Sequence, residues 1–227
     1  MSSIAVDTRL GKTLRFYSTT VGKKAVMAIT GAIGFGFLLS HLAGNLQMFL
    51  GRDVMNHYAV ALRAVPALIY GARTVLLLAV ILHITAAVQL TLLKNAARPV
   101  GYVKSESAGS SYASRTMYWS GPILGAFILF HLAHFTWGIV HPEFKELMPY
   151  DNVIAGFKVL PVTFFYIIAM VLLGMHLNHG LWSMFQSLGI SHPKYTPKLK
   201  TFAIAFSILI TAGFLSIPIA VLAGVLS

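Results

Sequence analysis

The sequence predicts an all-α integral membrane protein, a bundle of five spanning helices. Three observations carry this. Only 10% of the 227 residues are charged while 57% are hydrophobic, against about 25% charged in soluble domains. Five windows contain no Asp, Glu, Lys or Arg: 25–51, 74–93, 116–142, 159–193 and 201–227. Each spans at least the ~20 apolar residues a membrane helix needs, and none shows the ~10-residue alternation of an outer-membrane barrel.

The elements follow in order. Residues 1–20, with Arg9, Lys12 and Arg15, are too polar for a cleavable signal peptide; they read as a cytoplasmic tail with room for an interfacial helix. The rest, 21–227, reads as one membrane domain. Helix I is expected over 21–50, followed by a loop at 51–66. Helix II is expected over 67–93, before an inner loop rich in Gly, Ser and Ala. Helix III is expected over 116–140, with a loop at 141–152. Helix IV is expected over 156–188. A short inner loop with two prolines leads to helix V over 201–226, where Pro218 can kink the chain.

Basic residues set the expected orientation, since Lys and Arg accumulate on the cytoplasmic side. With the N-terminus inside, 12 of the 17 basic residues fall on inner segments: Arg9, Lys12, Arg15, Lys23, Lys24, Lys94, Arg98, Lys104, Arg115, Lys194, Lys198 and Lys200. Arg52, Arg63, Arg73, Lys145 and Lys158 fall outside. The expectation is a multi-pass protein of the inner (cytoplasmic) membrane, C-terminus outside. The net charge of +11 then forms a cytoplasmic field suited to lipid headgroups or a soluble partner. No cysteine occurs, which excludes thiolate metal sites and disulfides from this chain.

Six of the nine histidines lie within the expected spans: His41, His83, His131, His134, His176 and His179. Ionisable residues are costly in lipid and mark function. At ~1.5 Å per helical residue, His41 lies roughly 25 Å from the inner charges and His131 about 22 Å. By the same measure His83 lies about 16 Å from the inner boundary, and His176 roughly 27 Å in from the outer one. His41 and His131 thus share the outer half, and His83 and His176 the inner half. Each pair draws one imidazole from each of two helices, which is what a bis-histidine haem requires. Small residues beside three of them (Gly44 and Asn45; Ala79, Ala86 and Ala87; Gly180) leave room for a flat macrocycle. Transition-metal transport, the main competing use of such histidines, would want carboxylates in the spans, and the charge-free windows hold none.

"FHLAHFTW" and "GMHLNHGLW" each contain His-x-x-His. Residues three apart lie about 60° apart on a helix, so spacing admits either member as ligand. Small or apolar flanks favour His131 and His176, leaving His134 and His179 to hydrogen-bond a propionate, a quinone or a neighbouring helix.

With "FLLSHLAGNLQMF", "ILHITAAVQ", "LFHLAHFTW" and "MHLNHGLWSMF" on successive helices, the chain resembles the single-chain diheme cytochrome b anchor of succinate:quinone oxidoreductases and quinol:fumarate reductases. The similarity covers essentially the whole sequence. The resemblance implies axial haem ligands at His41, His83, His131 and His176. In helix IV many relatives carry Asn where this chain has His179.

It also implies electron transfer from an iron–sulfur subunit through two haems b to a membrane quinone, a menaquinone in many such anchors. FAD and iron–sulfur clusters would belong to the flavoprotein and iron–sulfur partners, since this chain has no dinucleotide-binding glycine motif and no cysteine. No nucleic acid is expected. Quinone candidates are Asn45, Gln47, Arg52, His57, Tyr58 and Arg63 at the outer end of helix I and its loop. Arg73 is a candidate for an outer propionate; Arg115 and Trp119 are candidates for the inner ones. The competing expectations are a haem b anchor of a hydrogenase- or formate-dehydrogenase-type enzyme, and a haem-free histidine-relay transporter.

Overall fold

The computed structural model describes residues 9–97 and 112–227. Arg98 and Lys104 of the cytoplasmic set lie outside the described residues. Among those described every regular element is helical. Five helices are long and apolar enough to cross a membrane: Thr20–Leu50, Pro66–Ala96, Arg115–Thr136, Leu160–Ser187 and Thr196–Leu222.

Helix α1 (Arg9–Ser18) meets α2 (Thr20–Asn45) in a tight corner. Thr19 caps α2 by accepting from the Gly22 amide at 2.9 Å. Lys23, buried, donates from Nζ to the carbonyls of Tyr17 (2.9 Å) and Ser18 (3.0 Å), satisfying acceptors that the end of α1 leaves open. α2 tightens into a 3-10 turn, Leu46–Leu50, and stops at Gly51, whose φ of 105° suits glycine.

The loop expected at 51–66 is corrected: Arg52–Arg63 forms helix α3. Its residues are amphipathic, with Met55 buried against α6, and that partner stabilises what charge content reads as a loop. α4 (Pro66–Ala96) begins on a proline, whose missing N–H costs nothing in a first turn.

α5 (Tyr112–His131) runs into a π-turn, Leu132–Thr136, closed by Trp137 N–H on the Leu132 carbonyl at 2.9 Å. Gly138, at φ 69°, then turns the chain away, so this span ends short of the expected 140.

The single helix expected over 156–188 is also corrected. It is two helices, α6 (Pro149–Lys158) and α7 (Leu160–Ser187), broken at Val159 (φ −84°, ψ 98°). Pro161 has no N–H to return to the Phe157 carbonyl. The Thr163 hydroxyl takes that acceptor instead, at 2.7 Å. α8 (Thr196–Leu222) completes the bundle, with Pro218 buried in its last third.

α2 packs between α4 and α7, and α7 also packs on α5 and α8. The short helices α3 and α6 close one end; α1 closes the other. The main buried cluster lies at the α3/α6 end, where Met48, Phe157, Tyr166 and Ile217 meet. α4 packs on α2 and α3 and otherwise presents Leu77, Leu78, Ile81 and Leu92 outward. So large an apolar face is suited to lipid rather than water.

Candidate functional site

The spanning histidines form two couples. His83 of α4 faces His176 of α7, with ring centroids 6.4 Å apart and planes at 55°. His41 of α2 faces His131 of α5, with centroids 5.8 Å apart and planes at 87°. Along α5, His131 at one couple and Ser120 beside the other are 11 residues apart, so the couples sit at levels separated by about 16 Å.

Each couple is held from behind. Nδ1 of His83 lies 3.1 Å from the Met27 carbonyl and 3.1 Å from Thr30 Oγ1. The Thr30 hydroxyl already donates to the Val26 carbonyl at 2.8 Å, so its oxygen accepts from the ring. A carbonyl only accepts; Nδ1 therefore carries the proton and Nε2 keeps its lone pair. The tautomer is thus assigned by its partners. Nδ1 of His176 lies 3.5 Å from Oγ of Ser120, a residue with no exposed surface. Nδ1 of His131 lies 3.4 Å from the Tyr166 hydroxyl. His41 is held by rings, Phe37 stacked at 5.1 Å and Phe214 at 5.8 Å. Asn45 Nδ2 donates to the His41 carbonyl at 2.7 Å.

His134 points elsewhere. The π-turn takes it further around the helix than the ~60° of an α-helix. It is 1% exposed, stacked on Phe130 and on His141, and its Nδ1 lies 3.1 Å from Tyr166. A Cβ on Gly156 would lie 2.8 Å from its Cε1, so the ring is packed directly on the α6 backbone. His179 lies one turn beyond His176, half-buried.

The partners within a couple are not packed neighbours. Among the described residues the helices pack in the order α4, α2, α7, α5, so each couple joins helices that are not adjacent in that order. Gly34 lies two turns before His41 on the same face, and Gly180 one turn after His176. A Cβ at either meets nothing within 4 Å, so the backbone of α2 and α7 is uncrowded at these two positions.

These features fit a haem. A metal–imidazole bond of about 2.0–2.1 Å on each side, plus roughly 1.1 Å from nitrogen to ring centre, puts opposed rings about 6.3 Å apart. Among the described residues no three His, Asp or Glu side chains converge on a point. Two opposed imidazoles suit an iron whose other four positions are already filled by a macrocycle.

The remaining sequence candidates do not gather into one pocket. Arg52 pairs with Asp151 at 3.2 Å and Arg63 with Glu146 at 2.8 Å. Tyr58 packs over Gly44, and His57 is exposed. Gln47 is half-buried in the 3-10 turn. Arg73 is exposed, its guanidinium 6.0 Å from the Tyr70 ring, in a cleft shared with Arg63 and Glu146. Arg115 and Trp119 start the third span, with Trp119 69% exposed.

Thr30, Ser120 and Tyr166 escaped sequence reasoning, because their histidine partners lie 53, 56 and 35 residues away. The one available signal was a hydroxyl inside an otherwise apolar span. No protein-family profile, curated protein or solved structure matches the chain.

Proposed function

We propose that this chain is the membrane anchor and electron-transfer subunit of a succinate:quinone oxidoreductase, holding two haems b. The carrying observation is the two opposed imidazole couples, at 5.8 and 6.4 Å, each drawn from two different spanning helices. His41 and His131 hold one haem, and His83 and His176 the other. When bound, each haem supplies one-electron exchange at its iron.

The protein's part is binding, orientation and exclusion of water. The Met27 carbonyl and Thr30 fix the His83 tautomer, and Ser120 sits behind His176. Phe37 and Phe214 limit rotation of His41. Arg73 and Arg115, near opposite ends of the bundle, are the proposed partners of the propionates, with Trp119 one turn from Arg115.

The α1 end faces the cytoplasm in this reading, where its basic residues meet an iron–sulfur subunit that is fed by a flavoprotein. Electrons leave to a membrane quinone, in this reading menaquinone. The polar residues at the α3/α6 end offer groups for its headgroup, with Gln47, His57 and Tyr58 as donors not engaged in the two ion pairs.

The test is to purify the chain from membranes with its bound subunits. A dithionite-reduced minus oxidised spectrum should show b-type bands, and the alkaline pyridine assay should count about two haems per chain. The preparation should reduce a quinone with succinate. Partners of a hydrogenase or formate-dehydrogenase type would refute the assignment of the complex. Histidine-dependent flux in a haem-free preparation would refute the electron-transfer reading altogether.

A further inference from the structure

His131 and His134 are both tied to one atom. The Tyr166 hydroxyl lies 3.4 Å from Nδ1 of His131 and 3.1 Å from Nδ1 of His134. Tyr166 is 5% exposed and its ring is enclosed by Phe127, Phe130 and Phe157. Among the described residues these two imidazoles are the hydrogen-bond partners of that hydroxyl.

The direction of the two hydrogen bonds follows from the proposed function, on which this inference rests. A hydroxyl has one proton to give and lone pairs to accept with. If His131 binds iron through Nε2, its Nδ1 carries the proton and donates to the tyrosine oxygen. Tyr166 must then donate to Nδ1 of His134. The opposite direction would put the His131 proton on Nε2 and abolish the ligand.

His134 is itself pinned. It stacks on His141 with centroids 4.8 Å apart, and Gly156 leaves no Cβ in its way. His141 donates from Nε2 to the Asn152 carbonyl at 2.9 Å and accepts from the Glu143 amide at 3.2 Å. An unbroken series of contacts therefore runs from the loop at the α3/α6 end to the back of His131.

We infer that Tyr166 is a positioning residue for the His41–His131 couple, oriented by His134. Its oxygen holds the His131 ring by accepting a hydrogen bond from Nδ1–H, which makes the imidazole a more electron-rich ligand. The other couple is backed by different groups, the Met27 carbonyl and Thr30 behind His83 and Ser120 behind His176, and Tyr166 touches neither of its rings. The effect is therefore confined to one couple.

The test uses the whole complex, with redox titration and low-temperature electron paramagnetic resonance as readouts. The wave that His41→Ala removes identifies the couple. Tyr166→Phe should move that wave upward and change its low-spin signal, leaving the other wave in place. His134→Phe should move the same wave in the same sense but less, because a tyrosine that no longer donates is a weaker acceptor. The double variant should match Tyr166→Phe alone, since His134 acts through the hydroxyl.

A wild-type complex without haem would refute the proposed function. Two haems in the wild type with an unmoved wave in Tyr166→Phe would overturn this inference alone. So would equal movement of both waves, or a double variant equal to the sum of the singles. If Tyr166→Phe fails to assemble, His134→Phe decides: no movement of the identified wave overturns the inference.

Discussion

Replacing Thr30 by valine removes one oxygen from behind His83 and changes almost no volume. Nδ1 of His83 shares its proton between two acceptors at the same 3.1 Å, the Met27 carbonyl and Thr30 Oγ1. A net hydrogen bond is worth about 0.5–1.5 kcal/mol. The carbonyl survives the substitution and takes the whole proton, so the loss is about half of one bond, ~0.5 kcal/mol. The weaker acceptor set makes the imidazole less electron-rich and favours the reduced iron. For one electron, 59 mV corresponds to about 1.4 kcal/mol, so the midpoint of the His83–His176 couple should rise by about 20 mV. The other couple, about 16 Å away along α5, should not move. The assay is potentiometric titration of the b-type absorbance in the purified complex, wild type against variant. A shift confined to the other wave would refute the pairing. A shift beyond ~100 mV would mean that the ligand itself had changed, contrary to the tautomer argument.

His83→Ala or His176→Ala should each lower haem content from about two to about one per chain, by the pyridine assay, with the His41–His131 spectrum retained. Gly180→Ala should keep both haems, because its Cβ meets nothing within 4 Å, whereas Gly180→Phe should put an aromatic ring one turn from His176 and remove one; spectral haem counts distinguish them. Gly213→Ala would place Cβ 2.8 Å from Leu42 Cδ2, an overpacking that should cost about 1–3 kcal/mol and lower the melting temperature in detergent. Glu146→Gln breaks an ion pair whose side chains are 40% and 77% exposed; such pairs contribute about 0–1 kcal/mol, so the melting temperature should be nearly unchanged.

The spans were legible in the sequence because charge is excluded from lipid-length windows, and the five windows match the five long apolar helices. Helix α3 was not legible, because an amphipathic helix lying across a bundle end carries as many polar residues as a loop. Its helical state depends on α6, about ninety residues later. The break at Val159 was encoded in Pro161, but a proline near the start of an apolar run also fits an unbroken helix. The π-turn after His131 carries no composition signal.

At the candidate site, depth arithmetic brought out the histidines that face each other, since a helix converts residue count into distance. The groups behind those histidines were not legible. Thr30, Ser120 and Tyr166 act across helix interfaces, and no local spacing links them to their rings. The polar residues near Gly51 form one cluster along the sequence, yet the structure divides Arg52 and Arg63 between separate ion pairs with Asp151 and Glu146.

The most direct test of the central proposal is the iron content and its position in the purified protein. An experimental density map, with iron located by anomalous scattering, should show one iron between His41 and His131 and a second between His83 and His176, each within bonding distance of two Nε2 atoms. A preparation with no iron between either couple, or with iron bound by His134 in place of His131, would contradict it.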